Sequence, residues 1–507
     1  MSRRPMLARS VRTRSVRART ALVTTGAALL AALCACAVGP NFKPPAAPTA
    51  SGYGSAPSRG RTASAPGTGG AAQRFVAGRD IPGEWWTLFR SPQLDRLIEQ
   101  ALKANPNVAA AQAALRQANA LYRAERTSLF PTLQGGFAAT RSKFATATLT
   151  APTVATTATY NLYTPELTLS YAPDVFGGTR RAVESARAQM ESTRFELEAT
   201  YVTLSSTVVV TAVQEASLRG QIAATRRLLE LQHQLTETVR GQRALGTASR
   251  LDLLTQQSAE AQTAATLPPL ERQLGQTRDA LTALLGRLPS QEPPETFRLA
   301  ELTLPRDLPV SLPSKLVEQR PDVRQAEENL HAASAEVGVA LAGLFPQFSI
   351  DGDIGSAALK MGQLLSPYTG FWDIGASLTQ TLFDAGALLD KRRAADAALD
   401  QAAAEYRAAV ILACQNVADT LRALHADADA LKATAEADQA AKAAFDLAQR
   451  QYRLGTISFL AVLNAEQAYQ QAQLALVQAQ ANRYSDTAGL FQALGGGWWN
   501  RREERSS

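Results

Sequence analysis

From Ala387 to Leu454 the chain runs 68 residues without Gly or Pro. Its apolar positions Val410, Cys414, Val417, Leu421 and Leu424 are spaced four and three apart, the seam that one helix offers a neighbouring helix. As continuous α-helix the run is roughly 100 Å long, against about 11–12 residues for an ordinary globular helix. The break at Gly455-Thr456 precedes a second Gly/Pro-free run, Thr456 to Ala488, so the chain goes out, turns and comes back. Elsewhere the period drops to two. Leu167, Leu169 and Tyr171 alternate with Glu166, Thr168 and Ser170; Phe348, Ile350 and Ile354 alternate with Ser349, Asp351 and Asp353. Trp372, Ile374, Ala376 and Leu378 alternate with Asp373, Gly375, Ser377 and Thr379. These are strands with one apolar face, at about 165–173, 346–355 and 371–380, and a weaker one covers about 131–143.

The same sequence of elements occurs twice. A helix is predicted from about Pro92 to Leu129, and Leu97 to Leu133 aligns with Leu316 to Phe348. Asn105-Pro106-Asn107-Val108 falls on Arg320-Pro321-Asp322-Val323, and Leu129-Phe130-Pro131 on Leu344-Phe345-Pro346. A long helix after Gly178, interrupted only by Gly220 and Gly241, leads to the turn Gly246-Thr247-Ala248-Ser249. That turn aligns with Gly455-Thr456-Ile457-Ser458. The helix after the first turn is expected to break at Pro268-Pro269. The predicted division is a leader at 1–35, an arm at 36–83, a first copy at 84–288, a Pro-rich connector at 289–313, a second copy at 314–498 and a tail at 499–507. Helical hairpins are expected over about 179–267 and 387–488. The Gly/Ser/Ala/Pro-rich stretch to about Gly78 reads as a tether or extended arm, with order beginning near Glu84-Trp85-Trp86.

Charge removes one function class. The formal net charge is +7, but seven arginines stand in the first 20 residues, and outside them basic and acidic residues are equal at 45 each. No basic patch points to nucleic acid. The arginines precede the short apolar run Ala21–Leu33, the form of a secretory signal peptide. In Leu33-Cys34-Ala35-Cys36 a lipoprotein site needs an aliphatic residue three before the modified Cys and a small one directly before it. Cys36 meets both conditions and Cys34 does not. Cys36 is therefore read as the acylated first residue of the mature chain, against the alternative of an ordinary cleaved signal. No later run is long and apolar enough for a membrane helix, so any span must be built of strands.

Four strands with an apolar and an Asp/Ser/Thr face fit either a soluble sandwich or a barrel wall with lipid outside and water inside. In the second case Leu167, Leu169, Tyr171, Phe348, Ile350, Ile354, Trp372, Ile374 and Leu378 face lipid. Trp372, Tyr160, Tyr163 and Tyr171 would suit an aromatic belt. Four strands cannot close a barrel, and open edges are not viable in lipid, so several chains must pool them; three chains give about twelve. Long helices pooled likewise form a tube whose far mouth lies at the Gly246 and Gly455 turns.

Cys36-Ala-Val-Gly-Pro-Asn-Phe-Lys-Pro44, Leu312-Pro-Ser-Lys-Leu316-Val-Glu-Gln-Arg320-Pro-Asp-Val-Arg324-Gln-Ala-Glu327, Val337-Gly-Val-Ala340, Leu344-Phe-Pro346 and Ala493-Leu-Gly-Gly-Gly-Trp498 resemble the TolC-like outer-membrane efflux family, OprM/NodT lipoprotein branch. The resemblance covers nearly the whole mature chain. It implies a homotrimer with a twelve-stranded β-barrel continuous with a twelve-helix periplasmic α-barrel, and an equatorial domain that includes the Pro-rich connector. It implies a periplasmic adaptor (membrane fusion) protein and an inner-membrane transporter of the resistance-nodulation-division (RND) type as partners, outer-membrane lipid around the barrel, and no cofactor beyond the Cys36 lipid. Function is then an exit duct for small molecules such as drugs, opened at its helical tips. In relatives the tip is closed by rings of leucine and aspartate, which map to Leu460 and, as a departure, Asn464. Asp252 and Tyr452 match residues of the closing network; Ile457 stands where some relatives have Arg, leaving Arg243 and Arg250 as candidate partners. The turn residues Gly246, Thr247, Ser249, Gly455, Thr456 and Ser458 shape the mouth. The rivals are a polypeptide duct of an ABC-type exporter and a coiled-coil surface lipoprotein without a pore. No catalytic constellation is visible, and His233, His331 and His425 have no metal-ligand spacing.

Overall fold

Proline sets the first helix boundary. Asn105 is extended (φ −68°, ψ 125°) because the ring of Pro106 excludes the α conformation before it. The single helix expected over 92–129 is therefore two, and Arg320 before Pro321 divides the second copy in the same way. The computed structural model describes residues 37–54, 60–143 and 159–501; the predicted leader, Cys36 and the end of the tail lie outside them. In chain order the elements are β1 (Arg74–Ala77), α1 (Pro92–Ala104), α2 (Pro106–Thr127), β2 (Thr132–Lys143), β3 (Thr159–Tyr171), α3 (Gly178–Ala244) and α4 (Arg250–Leu284). The second copy follows with β4 (Asp307–Val310), α5 (Pro313–Gln319), α6 (Pro321–Ala342), β5 (Gln347–Ser356), β6 (Gly370–Thr379), α7 (Ala387–Arg453) and α8 (Phe459–Ala493). The two hairpins match residue for residue in length: α3 and α7 have 67 residues each, α4 and α8 have 35.

Three expectations are corrected. The α4 helix runs through Pro268 and Pro269. Both prolines are exposed, so the carbonyls that lose a helical donor can turn to water. Gly220 and Gly241 likewise do not interrupt α3. The stretch before Gly78 is more than a tether: β1 pairs in parallel with β4, Arg74 opposite Asp307 and Ala77 opposite Val310. Gln73, fully buried, donates to Pro305 O (3.0 Å) and Thr487 Oγ1 (2.9 Å).

The chain gathers into two compact units. The first holds the described residues of Met1–Pro44, Gln117–Glu191 and Glu328–Ala404. Its centre is one antiparallel sheet in the order β2-β3-β5-β6. Residues 37–42 are fastened within it: Val38 N donates to Phe176 O (3.0 Å), Arg181 Nη2 to Asn41 Oδ1 (2.7 Å), and Phe42 stacks on His331 at 4.3 Å. The second unit holds Pro45–Arg116, Ser192–Glu327 and Glu405–Ser507. Its core includes Ile81, Leu94, Leu97 and Ile98, with Trp85 stacked on Phe491 at 5.1 Å. Along α7 the buried stripe Ala413, Val417, Leu421, Leu424, Ala428, Leu431 and Ala435 continues the predicted seam.

Candidate functional site: the strand face and the helical turns

In the sheet, Leu133 pairs with Leu169, Leu167 with Ile354, Tyr171 with Ile350, Ile354 with Trp372 and Phe348 with Leu378. Strand parity then puts every predicted apolar position, together with Ile374, on a single face. Leu133 and Phe137 of β2 join them, although the glycines of that strand hide its alternation. Tyr163 belongs to this face by parity, whereas Tyr160 falls on the other. No described residue covers this face at Trp372, 74% exposed, or Ile374, 71% exposed. The opposite face carries Ser170, Asp351, Asp353, Ser349, Ser377 and Asp373 in register. There Ser170 Oγ and Ser349 Oγ donate to Asp351 at 2.7 and 2.9 Å. Among the described residues β2 and β6 each have one neighbour, so each leaves a row of N–H and C=O groups unpaired by them.

The turns repeat atom for atom. Gly246 and Gly455 take φ +76° and +71°, the left-handed cap that favours glycine. Gly246 N donates to Arg243 O and Thr247 N to Gln242 O; Gly455 N donates to Tyr452 O and Thr456 N to Gln451 O. Each threonine hydroxyl adds a bond to that same Gln carbonyl, 2.9 Å in the first turn and 3.0 Å in the second. The turns diverge at the next helix start. Ser249 Oγ accepts from Asp252 N (3.1 Å), while Asp252 Oδ2 accepts from Ser249 N (2.9 Å), a closed capping box. Ser458 makes no such cap, because the residue three along is Ala461. Asp252 is thus occupied in holding its own helix start.

Tyr452 donates to Gln242 Oε1 (2.9 Å), tying α7 to α3 across the hairpins, and its ring lies 5.4 Å from Phe459. Burial raises its phenol pKa, and the Asp252 charge adds to the shift. Phe459 and Leu463 pack with Val239 and Leu253 in a buried cluster. Leu460 (63% exposed) and Asn464, one turn apart, stand on the other face of α8, away from that cluster. Leu251 is its exposed counterpart on α4. Arg243 and Arg250 form no ion pair among the described residues. Sequence reasoning missed Gln242 and a buried polar layer formed by Gln232, Gln256 and Glu466, all at most 3% exposed. Glu466 could have been found: it follows Val462 and Leu463 by four and three, on their buried face.

Comparison with known proteins follows the duplicated layout. The family model "Outer membrane efflux protein" matches residues 97–287 and again 312–496. The chain is 31% identical over 420 residues to "Pyoverdine export outer membrane protein OpmQ" of Pseudomonas putida, covering 82% of this chain and 88% of that one. It is 29% identical to "Toluene efflux pump outer membrane protein TtgF" of Pseudomonas putida, over 93% and 96% of the two chains. The solved outer-membrane channel OprN superposes with a TM-score of 0.81 at 29% identity, over 91% of this chain and all of that one. VceC of Vibrio cholerae superposes at 0.76 with 26% identity, over 82% and 100%. With the four-stranded sheet and the paired long hairpins, these matches make the chain a member of the outer membrane efflux protein family, a TolC-like outer-membrane channel and not an enzyme.

Proposed function

We propose that three copies pool their sheets into a twelve-stranded barrel and their hairpins into a periplasmic tube, forming the exit duct of a tripartite pump for small molecules. The carrying observation is the sheet in the first unit: one uncovered apolar face, one Asp/Ser face, and an unpaired edge on each side. Two symmetry-related neighbours would pair both edges, put Leu167, Leu169, Tyr171, Phe348, Ile350, Ile354, Trp372, Ile374 and Leu378 toward lipid, and leave the aspartates in water. Toluene and pyoverdine in the relatives' names support small cargo over a polypeptide. Energy comes from an inner-membrane RND transporter, and an adaptor protein opens the turns; the relatives' being parts of efflux pumps supports both partners. Leu460 and Asn464 form inward rings at the mouth, and the Tyr452–Gln242 bond holds the hairpins together in the closed state. The purified protein should migrate as a heat-modifiable trimer and conduct ions in planar bilayers. A monomer without conductance would leave the surface-lipoprotein reading.

Two variants read the parts separately. Leu460→Ala should raise single-channel conductance, because it shortens the exposed side chain of the ring without touching the Phe459–Leu463 cluster; unchanged conductance removes Leu460 from the gate. Cys36→Ser should abolish acylation and leave trimers intact, since barrel burial far exceeds the contribution of acyl chains. Residues 37–42, bound within the unit that holds the strands, support that site of anchoring. Acylation lost in Cys34→Ser but kept in Cys36→Ser would move the lipid to Cys34.

A further inference from the structure

The layer missed from the sequence lies a few turns from the mouth, where three helices meet. Gln232 of α3, Gln256 of α4 and Glu466 of α8 are 3%, 0% and 1% exposed. Gln256 Nε2 donates to the Gln232 carbonyl at 3.2 Å. Four oxygens remain without a hydrogen bond among the described residues: Oε1 of each glutamine and both carboxyl oxygens of Glu466. A buried layer with four unsatisfied acceptors is costly, at about 1–3 kcal/mol for each, and more if one carries charge. The Gln232 amide stands beside the Glu466 carboxyl. One added proton turns an acceptor of this layer into a donor.

We infer that Glu466 is a proton-binding site: as a neutral acid it donates to a glutamine oxygen and fastens α8 to α3 and α4, and on ionising it loosens that joint. Other charged groups stand on the helices packed here. On α4, Glu260 accepts from Thr236 Oγ1 (2.6 Å) and lies 3.1 Å from His233 Nδ1, both on α3. On α7, Asp438 and Asp446 act on Tyr469, as does Arg227 of α3. Burial dominates at Glu466 and pushes its carboxyl up to about 7, with the Gln232 amide opposing weakly. A folded-state pKa above the unfolded one gives stability that is complete below about 4.5 and lost as pH rises to about 7. The switch therefore works in the range a periplasm meets.

The test compares the full-length protein with Glu466→Gln, whose amide keeps the shape and the donor of the neutral acid. Infrared difference spectra, wild type minus variant, should contain a protonated-carboxyl carbonyl band at pH 6 that fades by pH 8. The wild-type thermal midpoint should fall across pH 5–8 by several degrees more than that of E466Q. These readouts are independent of conductance, so they stand or fall apart from the duct reading. Superimposable spectra, equal pH slopes, or an E466Q protein that fails to fold would each overturn the assignment.

Discussion

Arg483→Met should cost roughly 3–5 kcal/mol, the range for removing one partner from a buried charge network. Arg483 is fully buried in α8. Its Nη1 donates to Leu424 O (3.1 Å), and its Nη2 to Ala71 O (3.2 Å) and Thr62 Oγ1 (3.4 Å). One fork therefore joins α7, α8 and the segment leading to β1. Methionine fills most of the volume but removes the donor from two carbonyls, while the Thr62 hydroxyl keeps its bond from Gln73 N (2.9 Å). It also removes the positive charge beside Asp427 and Asp486. Burial and the neighbouring Asp427 push Asp486 up to about 7, while Arg483 pulls it down. The unfolded Asp486 ionises near 3.8 and the folded one near 7, so the protein loses stability as pH rises across that window. Without Arg483 the alkaline end of the window should move upward, and Asp486→Asn should flatten the slope. Denaturant titrations at several pH values would read both; a midpoint for Arg483→Met within error of wild type would sink the network's role. Arg483→Lys should fall between, because an ammonium keeps the charge but not the fork.

Legibility in the sequence tracked how local each cause was. The β5–β6 pairing was readable because Phe348 to Ile354 and Trp372 to Leu378 alternate within a few residues. The long helices were readable because no Gly or Pro interrupts α7, and the turns because Leu-Gly-Thr occurs twice. Pro106 and Pro321 carried their boundary signal openly, in the restriction a proline puts on the residue before it, and a continuous helical pattern outweighed it. Pro268-Pro269 misled in the opposite direction, since exposure decides whether freed carbonyls find water. The β1–β4 ladder was hidden, since each strand has four residues and its partner lies more than 200 residues away. Beside the Gly455 turn, Leu460 and Asn464 came from the resemblance. That Asp252 closes a capping box was legible in Ser249-Arg-Leu-Asp252, a local cause.

Gly286→Val and Gly495→Val should each cost on the order of 3 kcal/mol or more, and assembly of the proposed trimer should fail with either. Both glycines follow the end of a returning helix, α4 or α8, at φ +71° and +93°. Both close it in the same way: Gly286 N donates to Ala283 O and Arg287 N to Thr282 O, as Gly495 N does to Gln492 O and Gly496 N to Phe491 O. A Cβ on Gly286 would lie 2.3 Å from Ala104 O, and one on Gly495 2.4 Å from Gln319 O. Those carbonyls belong to the last residues of α1 and α5, so the obstacle is backbone and cannot swing aside. Beside each contact the next residue seals the joint, Asn105 Nδ2 donating to Leu284 O (2.9 Å) and Arg320 Nη1 to Ala493 O (3.0 Å). The repeat thus preserves a joint whose polar residue has changed from Asn to Arg while its glycine has not. Gly241→Ala is the control: inside α3, with nothing within 4 Å of an added Cβ, it should be neutral or stabilise by up to about 1 kcal/mol. If Gly286→Val and Gly495→Val assemble as well as Gly241→Ala, close backbone approach does not hold the two copies of the repeat in shape.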